Sequence, residues 1–389
     1  MRWPLVKISD FCQTGSGGTP SRDVPEYYQG DIPWIKSGDL RENIVTSATE
    51  FISCEAIQKS SAKIVPHGAI LVAMYGATVG RMALLGIDAA TNQAVCNIVP
   101  DASKADTKYV YYALLSKVPV FLRSAIGGAQ PNISQGLIRS TEIPLPSLPE
   151  QKRIAAILDK ANAIRRKRQQ AIQLADDFLR AVFLDMFGDP VTNPKGWEVD
   201  ALEQLSTRVT KGESPKWQGF EYGSEGVRFI TSENVLWGSL DERMKYIPLE
   251  FNQKLKRSQV QEGDLLINLV GASVGRACLA ELNGVPANIN QAVSVTTLDH
   301  SRLLPEIALY QLLVPSMQRV LLGNVVDAAR ANISLADIRD LQMLVPPTDV
   351  QLAFLKVLGK VKKYMAVNSS FSGLNLFESL SHNAFSGQL

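Results

Sequence analysis

The stretch GATVGR at residues 76–81 returns as GASVGR at residues 271–276, and this repetition decides the fold. Three further features occupy matching places in both halves: an opening tryptophan (Trp3, Trp197), the tetrapeptide NQAV (92–95, 290–293) and a block built on NIS (132–134, 332–334). Several blocks that recur in one order indicate an internal duplication. We therefore predict two copies of one domain.

Each copy combines a globular part with a helix. Residues 3–145 and 197–345 alternate short apolar runs, such as 68–74 and 263–269, with Gly, Pro and Asn, and a helical stretch is predicted at residues 107–122. This pattern predicts domains of the α/β (α+β) class. Prolines end each globular part, and a helical period follows.

The helical segments contain apolar residues three and four positions apart. Over residues 150–186 this spacing predicts one helix about 50 Å long at roughly 1.5 Å per residue. The second copy, around residues 354–377, is less regular at the SSFSG stretch of residues 369–373. We expect the two helices to bury a continuous seam as an antiparallel coiled coil that separates the globular domains. The alternative is that each helix packs only on its own domain.

Composition narrows the class of protein. The chain has 389 residues, 46% hydrophobic, and a net charge of +2, which neither requires nor excludes a nucleic acid. It has no apolar run of membrane-spanning length and no signal-like start, so we expect a cytoplasmic protein. The four cysteines show no metal-ligand spacing, and we expect them to be buried free thiols: Cys12, Cys54, Cys96 and Cys278.

The sequence offers little for catalysis, and we predict neither catalytic residues nor a metal site. The three histidines are not spaced as a metal pair, and no glycine-rich phosphate loop is present. The GASVG of residues 271–275 fits the pattern of a nucleophile elbow with Ser273 as nucleophile. Because the other copy has Thr78 there, we interpret the position as a small hydroxyl on a tight turn and keep a serine hydrolase as an alternative.

The polar side chains of the repeated blocks suit DNA. Arg and Lys can contact guanine or phosphate, and Asn and Gln can pair with adenine. GSGGTPSRD at residues 15–23 predicts a flexible, basic loop, with TKGESPK at residues 210–216 as its counterpart. Repeated amides are expected to keep the fold more often than to read bases: Asn92, Gln93, Asn290 and Gln291. Reading residues should lie where the halves differ.

These blocks, together with GGTPSR, IPWIKSGDL and PLPSLPEQKRIAAILDK of the first half, make the chain resemble the specificity (S) subunits of type I restriction-modification enzymes. The resemblance extends over essentially the whole chain. It implies a DNA-binding subunit that is not itself an enzyme, with two target recognition domains that each read half of a bipartite site and paired helices that set the spacer.

The resemblance also implies the partners and cofactors. The partners are double-stranded DNA, two adenine methyltransferase (M) subunits and, in complexes that cleave, motor-endonuclease (R) subunits. S-adenosylmethionine, ATP and magnesium belong to those subunits, and none is bound by this chain. The alternative is a non-catalytic scaffold whose duplicated domains bind proteins or glycans.

The predicted boundaries are residues 1–148 for target recognition domain 1, 149–188 for the central helix, 195–347 for target recognition domain 2 and 348–385 for the C-terminal helix. The predicted DNA-binding residues are Thr14, Ser16, Thr19, Ser21, Arg22, Lys36, Ser37, Tyr75, Thr78, Arg81, Gln130 and Asn132 in the first domain. In the second they are Lys211, Ser214, Lys216, Thr231, Ser232, Asn234, Ser273, Arg276, Arg330 and Asn332. The predicted methyltransferase-binding residues are Gln151, Arg153, Ile154, Ile157, Leu158 and Ile164. The second helix lacks the Glu-Gln start of the first, and no partner residue is predicted there.

Overall fold

In the computed structural model, the structure describes residues 3–41, 43–124, 132–323, 332–369 and 373–389. The chain forms two compact units. Unit 1 comprises Met1–Gln170 and Phe371–Leu389, and unit 2 comprises Ala171–Ser370. The boundary falls inside the longest helix, because the two ends of that helix pack in different hydrophobic cores.

The strands of unit 1 are β1 Leu5–Lys7, β2 Cys12–Ser16, β3 Ile32–Ile35, β4 Asn43–Val45, β5 Glu50–Ile52, β6 Ile64–Val65, β7 Ile70–Ala73, β8 Met82–Leu85, β9 Ala89–Thr91, β10 Val95–Pro100 and β11 Glu142–Pro144. Those of unit 2 are β12 Glu198–Ala201, β13 Ser206–Lys211, β14 Val227–Ile230, β15 Lys245–Ile247, β16 Gln259–Val260, β17 Leu265–Asn268, β18 Ala277–Leu279, β19 Ala287–Ile289, β20 Val293–Leu298 and β21 Gln342–Val345. The helices are α1 Cys54–Lys59, α2 Thr107–Ser124, α3 Gln135–Ser140, α4 Leu148–Phe187, α5 Leu249–Lys254, α6 Pro305–Leu312, α7 Pro315–Leu322, α8 Leu335–Arg339, α9 Thr348–Ser369 and α10 Gly373–Ser386.

The sheets of the two units have the same strand order. Unit 1 contains sheets β1-β11, β2-β10-β7-β8-β4 and β5-β3-β9-β6, and unit 2 contains β12-β21, β13-β20-β17-β18 and β15-β14-β19-β16. Even the parallel pair β3–β9 recurs as β14–β19. Within the described ranges, β4 is the one strand without a counterpart. The predicted duplication is confirmed at the level of topology.

The central strand β7 explains how each unit is layered. All four of its residues are buried, and successive side chains of a strand point to opposite faces of a sheet. Ile70 and Val72 join the core around α2, whereas Leu71 and Ala73 join a second core beneath the other face. In β17, Leu265 and Leu266 separate between two cores in the same manner. Both faces of the sheet are therefore covered.

An antiparallel helix pair is present in unit 1. Arg153 of α4 donates a hydrogen bond to the carbonyl oxygen of Leu389 at 3.0 Å, and Arg165 lies 5.4 Å from the ring centroid of Phe377 in α10. Because residue numbers rise along α4 as they fall along the partner, the two helices run in opposite directions. In unit 2, Phe183 of α4 packs edge-on against Phe354 of α9 at 5.6 Å.

The seam of α4 is not buried along its whole length. Ile154 and Leu158 are fully buried in the core of unit 1, but Ile164, Ile172 and Phe178 are 44%, 46% and 51% exposed. The prediction of a continuous seam is wrong there, because strands and helices of the globular parts cover α4 toward its ends. The start of α4 packs on its own domain, as the alternative proposed, and also on α10.

The cysteines are free, and three of them are buried. Burial raises the pKa of the thiols of Cys12, Cys96 and Cys278 to about 12. Cys54 is exposed, contrary to prediction, because it starts the short helix α1, in which Ala56 is the buried residue. In the part of the chain that the structure describes, no helix is both long and apolar enough to cross a membrane.

Candidate nucleic-acid interface

The GATVGR and GASVGR turns have the same backbone geometry. Gly76 and Gly80 adopt positive φ values of 71° and 80°, and Gly271 and Gly275 adopt 83° and 81°. Such angles favour glycine, because a Cβ atom is strained there. The amide of Gly80 donates to Ala73 at 2.9 Å, and that of Gly275 makes the equivalent 2.9 Å bond. Each turn thus holds its hydroxyl and its arginine at a fixed place.

The other repeated blocks meet at these turns. Asn132 pairs with Tyr75 in an isolated bridge, and Asn332 pairs with Val270. The amide of Ile133 donates to the carbonyl oxygen of Met74 at 2.9 Å, and Met74 in turn donates to Ala94 of the NQAV block at 2.8 Å. Equivalent bonds occur in unit 2. The blocks recur because their backbones form one assembly.

The glycine loop of unit 1 is tethered, not flexible as predicted. Its amides donate to the neighbouring strands, Gly17 to Val95 at 3.3 Å and Gly18 to Thr91 at 2.9 Å. A Cβ atom on Gly17 would lie 1.9 Å from the carbonyl oxygen of Thr91, and one on Gly212 would meet a carbonyl oxygen of Ile289 at 1.8 Å. These glycines therefore permit close backbone approach.

A cavity of about 360 Å³ gathers predicted residues in unit 2. Its lining includes three residues of the predicted DNA-binding set, Ser232, Ser273 and Arg276. The other lining residues are Glu233, Val270, Gly271 and Ala272. Ser232 comes from the chain after β14, whereas Ser273 and Arg276 come from the turn after β17. The structure thus brings two distant predicted segments together.

The hydroxyl of Ser273 is hydrogen-bonded within the fold. Its Oγ accepts a hydrogen bond from Nδ2 of the buried Asn268 at 3.0 Å and lies 3.5 Å from the carbonyl oxygen of Ser232. Thr78 approaches the carbonyl oxygen of Tyr75 at 3.5 Å. Across the described residues, no group of three or more His, Cys, Asp or Glu is placed to hold a metal ion. The geometry supports the interpretation of position 273 as a turn hydroxyl.

Two predicted DNA-binding residues form hydrogen bonds in the interior of unit 2. Thr231 and Asn234 are buried, and Oδ1 of Asn234 accepts 2.9 Å bonds from both the amide and the hydroxyl of Thr231. Nδ2 of Asn234 donates to the carbonyl oxygen of Arg243 at 3.1 Å. These bonds hold the loop after β14 and leave neither side chain at the surface. We do not retain a DNA contact for these two residues.

The remaining predicted residues lie at or near the surface. Those exposed are Ser16, Thr19, Ser21, Arg22, Tyr75, Arg81, Asn132, Lys211, Lys216 and Asn332. Those half-buried are Thr14, Lys36, Ser37, Thr78, Ser214, Ser232, Ser273 and Arg276. Gln130 and Arg330 lie outside the described residues. Arg22 and Lys36 both contact the carboxylate of Glu50.

Comparison with known proteins identifies specificity subunits of type I restriction enzymes as similar proteins. Residues 2–174 match the family model of the type I restriction modification DNA specificity domain. The MjaIX type I restriction enzyme specificity subunit of Methanocaldococcus jannaschii is 25% identical over 393 residues, which covers 94% of this chain and 90% of that protein. Over nearly its whole length the chain is similar to the specificity subunits of type I restriction enzymes. The resemblance predicted from the sequence is confirmed.

Two further comparisons agree. The EcoR124I/EcoR124II type I restriction enzyme specificity subunit of Escherichia coli is 32% identical over 154 residues, 38% of each protein. A crystal structure of the S subunit of a type I restriction-modification system from M. genitalium matches with a TM-score of 0.54 and 14% identity, over 98% of this chain and 96% of that one. At this identity the structural match shows the fold, which is the predicted one.

Three predicted partner-binding residues have roles in the fold. Gln151, Ile154 and Leu158 are buried in unit 1. The side chain of Gln151 donates to the carbonyl oxygens of Lys104 at 3.1 Å and Pro146 at 2.8 Å and accepts from the amide of Asp106 at 2.8 Å. The three side chains attach α4 to its globular part. We do not retain a partner contact for them.

In unit 2, α9 is attached to its globular part by the equivalent hydrogen bonds. Gln351 of α9 is buried, donates to the carbonyl oxygens of Arg302 at 2.9 Å and Pro346 at 2.7 Å, and accepts from the amide of Leu304 at 2.9 Å. The second helix lacks the glutamate of the first, because Val350 stands at the place of Glu150, but its glutamine makes the same bonds. The 200-residue offset from Gln151 to Gln351 was the sequence signal.

Three residues near the surface were not predicted from the sequence. Glu50 contacts two predicted DNA-binding cations, and Trp217 and Lys245 lie in unit 2 at positions where the halves differ. The register of the repeat could have identified them, since Glu50 and Lys245 are 195 residues apart, as are Arg22 and Trp217. Their contacts could not be read from the sequence.

Proposed function

We propose that this chain recognises a bipartite site in double-stranded DNA, one half-site with each unit, and directs adenine methyltransferase subunits, with restriction subunits in complexes that cleave, to that site. The observation that carries the proposal is one hydrogen-bonded scaffold present twice with different exposed side chains. A shared backbone frame with different polar groups suits the reading of two different base sequences. The target recognition domains correspond to residues 1–148 and 195–347.

The exposed predicted cations suit contacts with phosphate. Arg81 closes the turn of unit 1, and Lys211 and Lys216 flank the glycine loop of unit 2. No salt bridge of these three is found among the described residues, so their charge is not offset by a neighbouring carboxylate. Phosphate contacts of this kind set orientation on the duplex and make binding depend on salt.

The exposed part of α4 suits the methyltransferase subunits. Arg153 and Ile164 from the predicted set are exposed, Ile157 is half-buried, and all three lie in the part of α4 that belongs to unit 1. We propose that two methyltransferase subunits dock on the helices and that S-adenosylmethionine, ATP and magnesium are bound by partner subunits. The complex would act in the cytoplasm.

Methylation mapping tests the function directly. The full-length chain, produced with methyltransferase subunits, is incubated with a DNA library of random sequence, and N6-methyladenine is mapped. We expect a split motif with an unspecified spacer. Methylation without a split motif, or no dependence of methylation on this chain, contradicts the proposal. Equal retention of all duplexes, with selective capture of a protein or glycan, would favour the scaffold alternative.

The spacer can be tested through α4. This helix continues without interruption from Leu148 to Phe187, and we propose that its length contributes to the spacing of the half-sites. Four added residues lengthen a helix by about 6 Å, close to two base pairs at roughly 3.4 Å each. An insertion in both long helices should lengthen the spacer by one or two base pairs. An unchanged spacer contradicts this role.

A further inference from the structure

A charged cluster stands on the surface of unit 1. Nη2 of Arg22 donates to Oε2 of Glu50 at 2.7 Å, and the ammonium group of Lys36 contacts Oε1 of the same carboxylate. The hydrogen bond from Lys36, followed by that from Arg22, lowers the pKa of Glu50 in spite of its partial burial. The Arg22 side chain remains 57% exposed. Two cations thus share one anion at the surface.

The cluster rests on a rigid base. The guanidinium carbon of Arg22 lies 4.0 Å from the ring centroid of Tyr28 and 5.5 Å from that of Trp34. Trp34 is buried and donates from Nε1 to the carbonyl oxygen of Gly18 at 3.0 Å, and the Tyr28 hydroxyl donates to that of Pro20 at 2.7 Å. Because the rings and Glu50 fix the plane of the guanidinium, little side-chain entropy is left to lose on binding.

This geometry favours a base edge over phosphate as the ligand. A carboxylate beside Arg22 offsets its charge and weakens its attraction to an anion, but it does not prevent hydrogen bonding to a neutral acceptor. Guanine presents two acceptors, O6 and N7, in the major groove, and bidentate contact with arginine is the commonest specific pairing. Glu50 occupies Nη2, so other N–H groups of the fork remain for the base.

Unit 2 has different side chains at the equivalent places. Strand β3 places Trp34 opposite Glu50, and β14 places Phe229 opposite Lys245 in the same register. The constant offset of 195 residues makes Trp217 equivalent to Arg22 and Thr231 equivalent to Lys36. Trp217 is 71% exposed, whereas Thr231 is buried. The scaffold is shared, but the charges are not, since a lysine replaces the glutamate.

We propose that Arg22 reads a guanine in the first half-site, that Glu50 is a positioning residue for Arg22, and that the equivalent surface of unit 2 does not read guanine in this way. An indole has one N–H donor and cannot make the two-donor contact. This inference rests on the proposed function, because it assigns one base of one half-site to one side chain.

The test uses the full-length chain with methyltransferase subunits and the random DNA library. Wild type is compared with Arg22→Gln, Arg22→Lys and Glu50→Gln. Glu55→Gln serves as control, because Glu55 forms an exposed ion pair with Lys59 on α1 and is not in the predicted DNA-binding set. Base preferences are measured at every position of both half-sites, and thermal unfolding of each variant is recorded.

We expect one guanine preference in one half-site to fall roughly 5- to 100-fold in both Arg22 variants, the range that a bidentate contact provides. Lysine keeps the charge but lacks the fork, so it should not restore the preference. Glu50→Gln should relax the same position alone, whereas a purely structural role would shift unfolding without selecting one base. The other half-site and the Glu55→Gln variant should remain as in wild type.

The outcomes separate the two proposals. A wild type without a split motif defeats the proposed function. A split motif whose base preferences survive both Arg22 substitutions overturns the guanine assignment alone. The assignment is equally overturned if Arg22→Lys keeps the guanine preference, or if all preferences of one half-site weaken together, because either result indicates a contact with phosphate.

Discussion

Units 1 and 2 have the same strand order but different internal support. In unit 2, the buried carboxylate of Asp264 accepts hydrogen bonds from Arg208 at 2.7 Å and from the hydroxyl of Thr297 at 2.6 Å. The repeat places Gln13, Ala69 and Val99 at these positions of unit 1. The two units share the pairing of their strands but not this ion pair. The same strand order is therefore compatible with an ion pair or with uncharged side chains at these positions.

The largest effect is expected from Asp264→Ala. The carboxylate of Asp264 is buried and the side chain of Arg208 is 24% exposed, so the substitution removes the acceptor of a partly buried arginine and should lower the free energy of unfolding by about 3 kcal/mol. Chemical denaturation of the full chain measures the change. Glu281→Ala is the control, because Glu281 pairs with Lys362 on the surface and should cost less than about 1 kcal/mol. Similar losses in both variants would contradict the distinction between the units.

The glycine loops should respond alike in the two units. Gly17→Ala and Gly212→Ala each place a methyl group against a backbone carbonyl oxygen and should cost about 1–3 kcal/mol or more. Gly15→Ala, where nothing lies within 4 Å, is the matched control. Under the proposed function, Gly17→Ala should impair one half-site and Gly212→Ala the other. Loss of both half-sites in either variant would argue against independent readers.

Removal of the hydroxyl of Ser273 and removal of that of Thr78 should lower the free energy of unfolding by modestly different amounts. Ser273→Ala removes an acceptor for Asn268 and should lower stability by about 1 kcal/mol, whereas Thr78→Ala should cost less because its 3.5 Å contact is long. Methylation should persist in both variants. Covalent labelling of Ser273 by an organophosphonate probe, abolished in Ser273→Ala, would instead support the hydrolase alternative.

The smallest effect concerns pH and is confined to unit 1. The pKa of Glu50 is lowered from its usual 4.5, chiefly by the hydrogen bond from Lys36, so the folded state favours the ionised carboxylate. Its contribution to stability is therefore present above the unfolded pKa and lost as pH falls through the lower, folded value. Denaturation of wild type and Glu50→Gln should converge as pH falls below 4.5. A constant difference down to lower pH would contradict this linkage.

The sequence predicted the duplication, the fold class and the long helix because repeats and apolar spacing are visible along the chain. It could not reveal that Thr231 and Asn234 bond to each other, since that contact depends on the turn after β14. Likewise, the spacing of apolar residues such as Ile154, Leu158 and Ile164 predicts a helix. It does not predict which of these side chains are buried by other parts of the fold. The contact of Lys36 with Glu50 depends on the pairing of β3 with β5.

At Gly17 and Gly212 a backbone carbonyl oxygen approaches so closely that only glycine fits. The backbone of each loop is held by glycine and strand contacts, so the exposed side chains around it carry little responsibility for folding. Under the proposed function, a new target sequence can therefore arise by substitution of surface residues without replacement of Gly17 or Gly212.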